Sequence, residues 1–110
     1  DVNQLLDVGN KADDSDVWQA IIEKLNFGKL NVNQLLDVGN KADDSDVWQA
    51  IVKTGKLNVN QLLDIGNKAG NWRVWKAIVE TGKLDVNQLL DVGNKADDSY
   101  VWQAIVEKLQ

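Results

Sequence analysis

Cysteine, histidine, proline and methionine are all absent from the 110 residues of this chain, and phenylalanine and tyrosine occur once each. Without cysteine there is no disulfide framework, and nothing follows about redox compartment. Without histidine or cysteine there is neither a His/Cys nucleophile–base pair nor a His/Cys metal cluster. Serine occurs only within short segments such as Asp13-Asp14-Ser15-Asp16, and no glycine-rich phosphate loop is present. The sequence therefore predicts a protein that is not an enzyme, with no catalytic, cofactor-binding or metal-binding residues.

Long apolar runs are missing too. None approaches the ~20 residues needed to cross a bilayer, and no charged-then-apolar leader opens the chain, so a soluble protein without a membrane partner is expected. Hydrophobic residues make up 44% and charged residues 26%, the balance of an ordinary globular domain rather than a disordered one. The formal charge of −5 disfavours nucleic acid as a partner, because phosphate binding needs clustered Lys and Arg.

What the chain does have is repetition. Asn-Gln-Leu-Leu-Asp begins at Asn3, Asn33, Asn60 and Asn87, at offsets of 30, 27 and 27 residues. Residues 1–22 and 31–52 differ only at Asp1 versus Asn31 and Ile22 versus Val52. Periods of this size signal units that stack, because one hairpin cannot bury its own apolar face. Near-identity of this degree implies design, deliberate amplification of one hairpin, or a very recent duplication. The expected organisation is a single repeat domain over residues 1–110, with repeats at 1–30, 31–57, 58–84 and 85–110.

Each repeat opens on an Asx residue (Asp1, Asn31, Asn58, Asp85) followed three positions later by Gln4, Gln34, Gln61 or Gln88. Asx-x-x-Gln is a capping-box pattern. Val2, Leu5, Leu6, Gly9 and Ala12 then fall at helical spacing on one face, and Val8 supplies a second apolar side, as a helix held between neighbours requires. The first helix is placed over Val2 to Lys11. Gly9, Gly39, Gly66 and Gly93 either end that helix as left-handed caps or admit a closely packed neighbour. The second reading is favoured, because Ala12 continues the stripe.

A second helix is predicted from near Asp14, Asp44, Asn71 and Asp98. Asp16 and Asp46 in its first turn complement the helix dipole. Trp18, Ile21, Ile22 and Leu25 share its apolar face, and the tryptophan of each repeat (Trp18, Trp48, Trp75, Trp102) is assigned to the core. Gly55 and Gly82 are expected to cap this helix. Repeat 1 is three residues longer at that point, through Leu25-Asn26-Phe27, which predicts a different junction over residues 25–31. The fold class expected is all-α: four tandem antiparallel helix hairpins, eight short helices, stacked as a small solenoid.

The acidic run Asp13-Asp14-Ser15-Asp16 lacks the ligand spread, central glycine and terminal glutamate of an EF-hand, and helix capping explains it. A sharper candidate lies in repeat 3, where Gly70-Asn71-Trp72-Arg73 replaces Asp-Asp-Ser-Asp and Lys76 replaces Gln. In repeat 4, Tyr100 stands where repeats 1 and 2 have Asp16 and Asp46. Asn71, Trp72, Arg73, Lys76 and Tyr100 thus form a candidate binding surface, since Trp, Tyr and Arg dominate interaction hot spots. The competing readings are that Trp72 packs against the next hairpin, or that repeat 3 keeps more of a parental sequence.

Paired short helices in tandem resemble the α-solenoid class that includes tetratricopeptide repeats, and the resemblance spans the whole chain. It implies a helical stack and nothing about activity, because the units here are shorter and lack the tetratricopeptide Trp/Leu/Gly/Tyr then Ala/Phe/Pro pattern. The Gln-Leu-Leu then Gln-Ala-Ile run is loosely similar to TAL-effector-like repeats. Their units are longer, and acidic loops like these would repel phosphate, so no functional residue carries over from either family.

Two functions remain. The first is a structural scaffold, engineered or amplified, that forms a homo-oligomer through apolar end hairpins; Val2, Leu5 and Val8 at one end and Val101, Ile105 and Val106 at the other are expected to be exposed. The alternative is a peptide- or protein-binding module using the variable surface of repeats 3 and 4.

Overall fold

The computed structural model describes residues 1–109, and among these it contains eight α-helices, one short 3-10 turn and no strand. In chain order they are α1 (Val2–Ala12), α2 (Ser15–Leu25), α3 (Val32–Ala42), α4 (Ser45–Lys53), α5 (Val59–Ala69), α6 (Trp72–Glu80), α7 (Val86–Ala96) and α8 (Ser99–Lys108). Two compact halves divide between Lys56 and Leu57, so each half holds two hairpins. In the N-terminal half α1 packs on α2, α3 on α4, α1 on α3 and α2 on α4. In the C-terminal half α5 packs on α6, α7 on α8, and α6 on both α7 and α8.

The helix starts form as the spacing predicts. All four first helices carry a complete capping box: Asp1, Asn31, Asn58 and Asp85 accept from the backbone N–H of the Gln three residues on, whose side chain accepts in return from the cap residue's nitrogen. The Asp1 reciprocal donor is the chain's amino group, at 2.9 Å. At the second helices, Asp14, Asp44, Asn71 and Asp98 each accept from the N–H two residues later, at 2.8 Å. Such caps contribute about 1 kcal/mol each. The acidic run is thereby accounted for at Asp14, which is a helix cap.

The glycines of the first helices lie inside them, and the neighbour they admit is the tryptophan of the same repeat. A Cβ added to Gly9 would fall 2.5 Å from Cη2 of Trp18, and Gly39, Gly66 and Gly93 meet Trp48, Trp75 and Trp102 in the same way. The indole lies flat against bare backbone where the two helices of a hairpin approach. The left-handed cap comes four residues later, at Asp13 (φ 50°), Asp43 (φ 49°), Gly70 (φ 57°) and Asp97 (φ 48°). Each donates its N–H back to that internal glycine's carbonyl, between 2.8 and 3.0 Å.

A testable asymmetry follows, because three repeats place an aspartate where the backbone favours glycine. Asp97→Gly should raise stability by about 0.5–1 kcal/mol, and Gly70→Asp should lower it by a similar amount. Urea melts of the two variants check this; equal shifts of the same sign would remove the conformational argument.

The second helices end in two ways. In repeats 2 and 3 they stop at Lys53 and Glu80, with Thr54 and Thr81 hydroxyls donating to the Ile51 and Ile78 carbonyls and with Gly55 (φ 75°) and Gly82 (φ 74°) left-handed. In repeat 1 helix α2 runs on to Leu25, Asn26 takes the left-handed role (φ 51°), and a 3-10 turn, Phe27–Lys29, follows with Phe27 buried. This is the expected unequal junction. Lys56 Nζ closes it by donating to the carbonyls of Gly28 (2.6 Å) and Leu30 (2.7 Å). Lys83 Nζ donates likewise to the Leu57 carbonyl in the C-terminal half, at 2.7 Å.

The core is built from the predicted stripe: Leu35, Trp48 and Ile51 are fully buried in the N-terminal half, and Leu62, Val74 and Ile78 in the C-terminal half. Trp18 and Trp75 are buried with them, while Trp102 is only half-buried. No buried side chain is charged or polar among the described residues, as expected where apolar packing carries the fold.

The expected exposure at the two ends needs correction. Val2, Val8 and Val106 are exposed, but Leu5 is half-buried, and Val101 and Ile105 are buried. The reason is the packing of α6 against α8, which covers the side of α8 carrying Val101, Ala104 and Ile105 and leaves the opposite side bearing Val106 open.

Candidate interaction surface

Helix α6 starts on Asn71, whose Oδ1 caps the Arg73 N–H. This places Trp72 and Arg73 in the first turn, where the chain leaves the inter-helix loop, and a serine occupies the Trp72 position in every other repeat. Tyr100 lies in the first turn of α8, the helix packed beside α6. Trp72 and Tyr100 stack, with ring centroids 5.2 Å apart and planes 25° from parallel. The Arg73 guanidinium carbon sits 4.7 Å from the Trp72 ring centroid.

Three of the five candidate residues are thus gathered into one cation–aromatic cluster. Trp72 is half-buried, and Arg73 and Tyr100 are exposed, Tyr100 to 55%. Asn71 is present as a cap. Lys76 stands one turn further on and pairs with Glu80 at 3.2 Å, an exposed i,i+4 bridge. Such pairs contribute a few tenths of a kcal/mol. The Trp72–Tyr100 stack joins consecutive repeats, so packing against the next hairpin and exposure to solvent occur at the same residues.

Chemically the cluster offers a partly exposed aromatic pair with one guanidinium held over the indole. Among the described residues, no group of three or more His, Cys, Asp or Glu side chains is placed to hold a metal ion, and no helix is long and apolar enough to cross a membrane. Restoring the repeat 1 residues by Trp72→Ser with Tyr100→Asp should cost about 1–2 kcal/mol through loss of the aromatic pair and the cation–π contact. A thermal melt checks it; an unchanged midpoint would show that the stack contributes nothing to the C-terminal half.

A second polar feature, not singled out by sequence, joins hairpins 1 and 2. Lys41 Nζ donates to Asn3 Oδ1 at 3.2 Å, and Asn10 Nδ2 donates to the Lys41 carbonyl at 3.3 Å. They border a groove of about 250 Å³ in which Val2 and Asn3 face Gln34, Asp37, Val38 and Lys41. The recurring Asn-Lys pair at the end of each first helix was the available signal, but its partner could not be named without the order of packing.

No family model matches the chain, and no curated protein or solved structure matches it either.

Proposed function

We propose that this chain is a structural repeat scaffold, made by design or by amplification of one hairpin, without catalytic activity, that self-associates through the apolar faces of its first and fourth hairpins. One observation carries the reading: equivalent positions differ in burial according to repeat. Val8 is 53% exposed while its counterpart Val38 is 3% exposed, and Val106 is 56% exposed while its counterpart Val79 is 0% exposed. Residues that are core elsewhere in the chain face solvent on these two hairpins. Exposed apolar side chains of that kind favour association in water.

Light scattering over a rising concentration series tests this. The expected result is a mass that climbs above that of one chain; a single-chain mass at millimolar concentration would overturn it.

The second reading, a peptide- or protein-binding module, is supported by the exposure of Tyr100 and Arg73 over the Trp72 ring. Replacing Trp72 and Arg73 by Ser and Asp separates the two readings. A scaffold keeps its fold and its assembly in that variant, whereas a binding module loses its partner.

A further inference from the structure

The two faces of a hairpin recur in every repeat, and the N-terminal half shows how they meet. The leading face of the second hairpin carries Gln34, Asp37, Val38 and Lys41, and it lies across the groove from Val2 and Asn3 on the trailing face of the first. Lys41 Nζ to Asn3 Oδ1 and Asn10 Nδ2 to the Lys41 carbonyl fix that register. In the C-terminal half the fourth hairpin is also covered along one side, with Val92, Val101 and Ala104 buried, but there α6 takes both α7 and α8, so the model for the open faces is the junction of the N-terminal half.

The residues left open are the two missing sides of this same junction. On the first hairpin, Gln4, Asp7, Val8 and Lys11 repeat residues 34, 37, 38 and 41 without change, and Val8 is exposed. On the fourth, Val86, Asn87 and Leu90 repeat Val2, Asn3 and Leu6, and Val86, Leu90 and Val106 are exposed. The leading face presents Gln, Asp and Lys around its valine, and the trailing face presents Val, Asn and Leu. Each matches the other, because the junction between hairpins 1 and 2 brings Val2 and Asn3 against Gln34, Asp37, Lys41 and a Val38 that is only 3% exposed.

We infer that the occupant of the fourth hairpin's trailing face is the first hairpin of a second copy of this chain, docked head to tail. This rests on the self-association reading and adds its polarity. The contact reproduces the junction between hairpins 1 and 2, with Lys11 Nζ donating to Asn87 Oδ1 and Asn94 Nδ2 donating to the Lys11 carbonyl across the two copies. Such a heterologous contact builds chains or rings, whereas an isologous one stops at a dimer. Residues 1–30 and 85–110 each carry six and three, and five and two, acidic and basic residues, a net −3 apiece, so added salt strengthens the contact by screening their repulsion.

The test uses two full-length variants at exposed positions, Val8→Asp and Val106→Lys, with helicity and melting checked against the parent. If either loses helicity, Val8→Gln and Val106→Gln replace them. Sedimentation is run on the parent, on each variant, and on their equimolar mixture, at low and high salt. Head-to-tail docking predicts a parent that grows in mass, two monomeric variants, and a mixture that forms a one-to-one dimer and no larger species. The dimer arises because one variant retains the leading face and the other the trailing face. A variant that dimerises alone, or a mixture that stays monomeric while the parent assembles, overturns the polarity. A parent that stays monomeric overturns self-association itself, and with it this inference.

Discussion

Gly66→Ala is expected to be among the most damaging single-methyl additions in this chain, lowering stability by about 3 kcal/mol, the upper end for overpacking a core. Alanine is ordinarily the better helix residue by about 1 kcal/mol, so propensity alone gives the opposite sign. Geometry decides the sign. The added Cβ would lie 2.5 Å from Cη2 of Trp75, where carbon atoms normally rest ~3.5–4.0 Å apart. The ring cannot retreat without cost, since Trp75 is buried and Val74, Ile78 and Val79 on its own helix are fully buried. Nor can α5 shift freely, because the capping box at Asn58 and the left-handed cap at Gly70 fix both its ends. Denaturant unfolding of Gly66→Ala against the parent measures the effect. A variant equal to or more stable than the parent would mean that α5 and α6 are further apart than described.

How far this arrangement was legible in the sequence differs from residue to residue. The capping boxes were fully legible, because an N-cap and its reciprocal glutamine lie within four residues and depend on nothing distant. The lengthened junction after repeat 1 was legible as a difference, since three additional residues must go somewhere. Its form, with Asn26 left-handed and Phe27 turned inward, needed the structure. The role of Gly9 and its counterparts was half legible. A glycine near a helix end serves as a cap or as a gap, and only the tryptophan packed on it decides between them. The cap itself went to Asp13, Asp43 and Asp97, residues that tolerate a left-handed backbone less readily than glycine but better than most.

Exposure was less legible than helix placement. Periodicity shows that α8 has two apolar sides, but not which of them meets α6. Val101 and Ile105 are therefore covered while Val106 is open, although all three follow the same hydrophobic pattern. The candidate surface shows the same limit. The substitutions at Trp72, Arg73 and Tyr100 stand out against the repeat by inspection. Their meeting does not, because Trp72 and Tyr100 occupy different positions of consecutive repeats, and their stacking depends on two second helices lying side by side. Local chemistry was readable wherever partners are close in sequence, and contacts between hairpins had to be seen.

The other large effect is expected from removing the ring itself, and it reverses the glycine result. Trp75→Ala should cost about 3–5 kcal/mol, the usual penalty for deleting a buried aromatic side chain. Much of that penalty is a void beside Gly66, because a glycine offers no side chain with which to fill it. Adding Gly66→Ala to this background should therefore stabilise, by about 1 kcal/mol from helix propensity with a further gain from partly filling the space. The same methyl that costs stability with the indole present restores some without it. A double-mutant cycle from urea melts reads the coupling directly, as the departure of the double variant from the sum of the two single ones. The expected coupling is several kcal/mol in favour of the double variant, large because the two groups are in direct contact rather than linked through intermediaries. Additive losses would place the indole away from Gly66, and the pairing of glycine with tryptophan inferred for all four hairpins would then fail together.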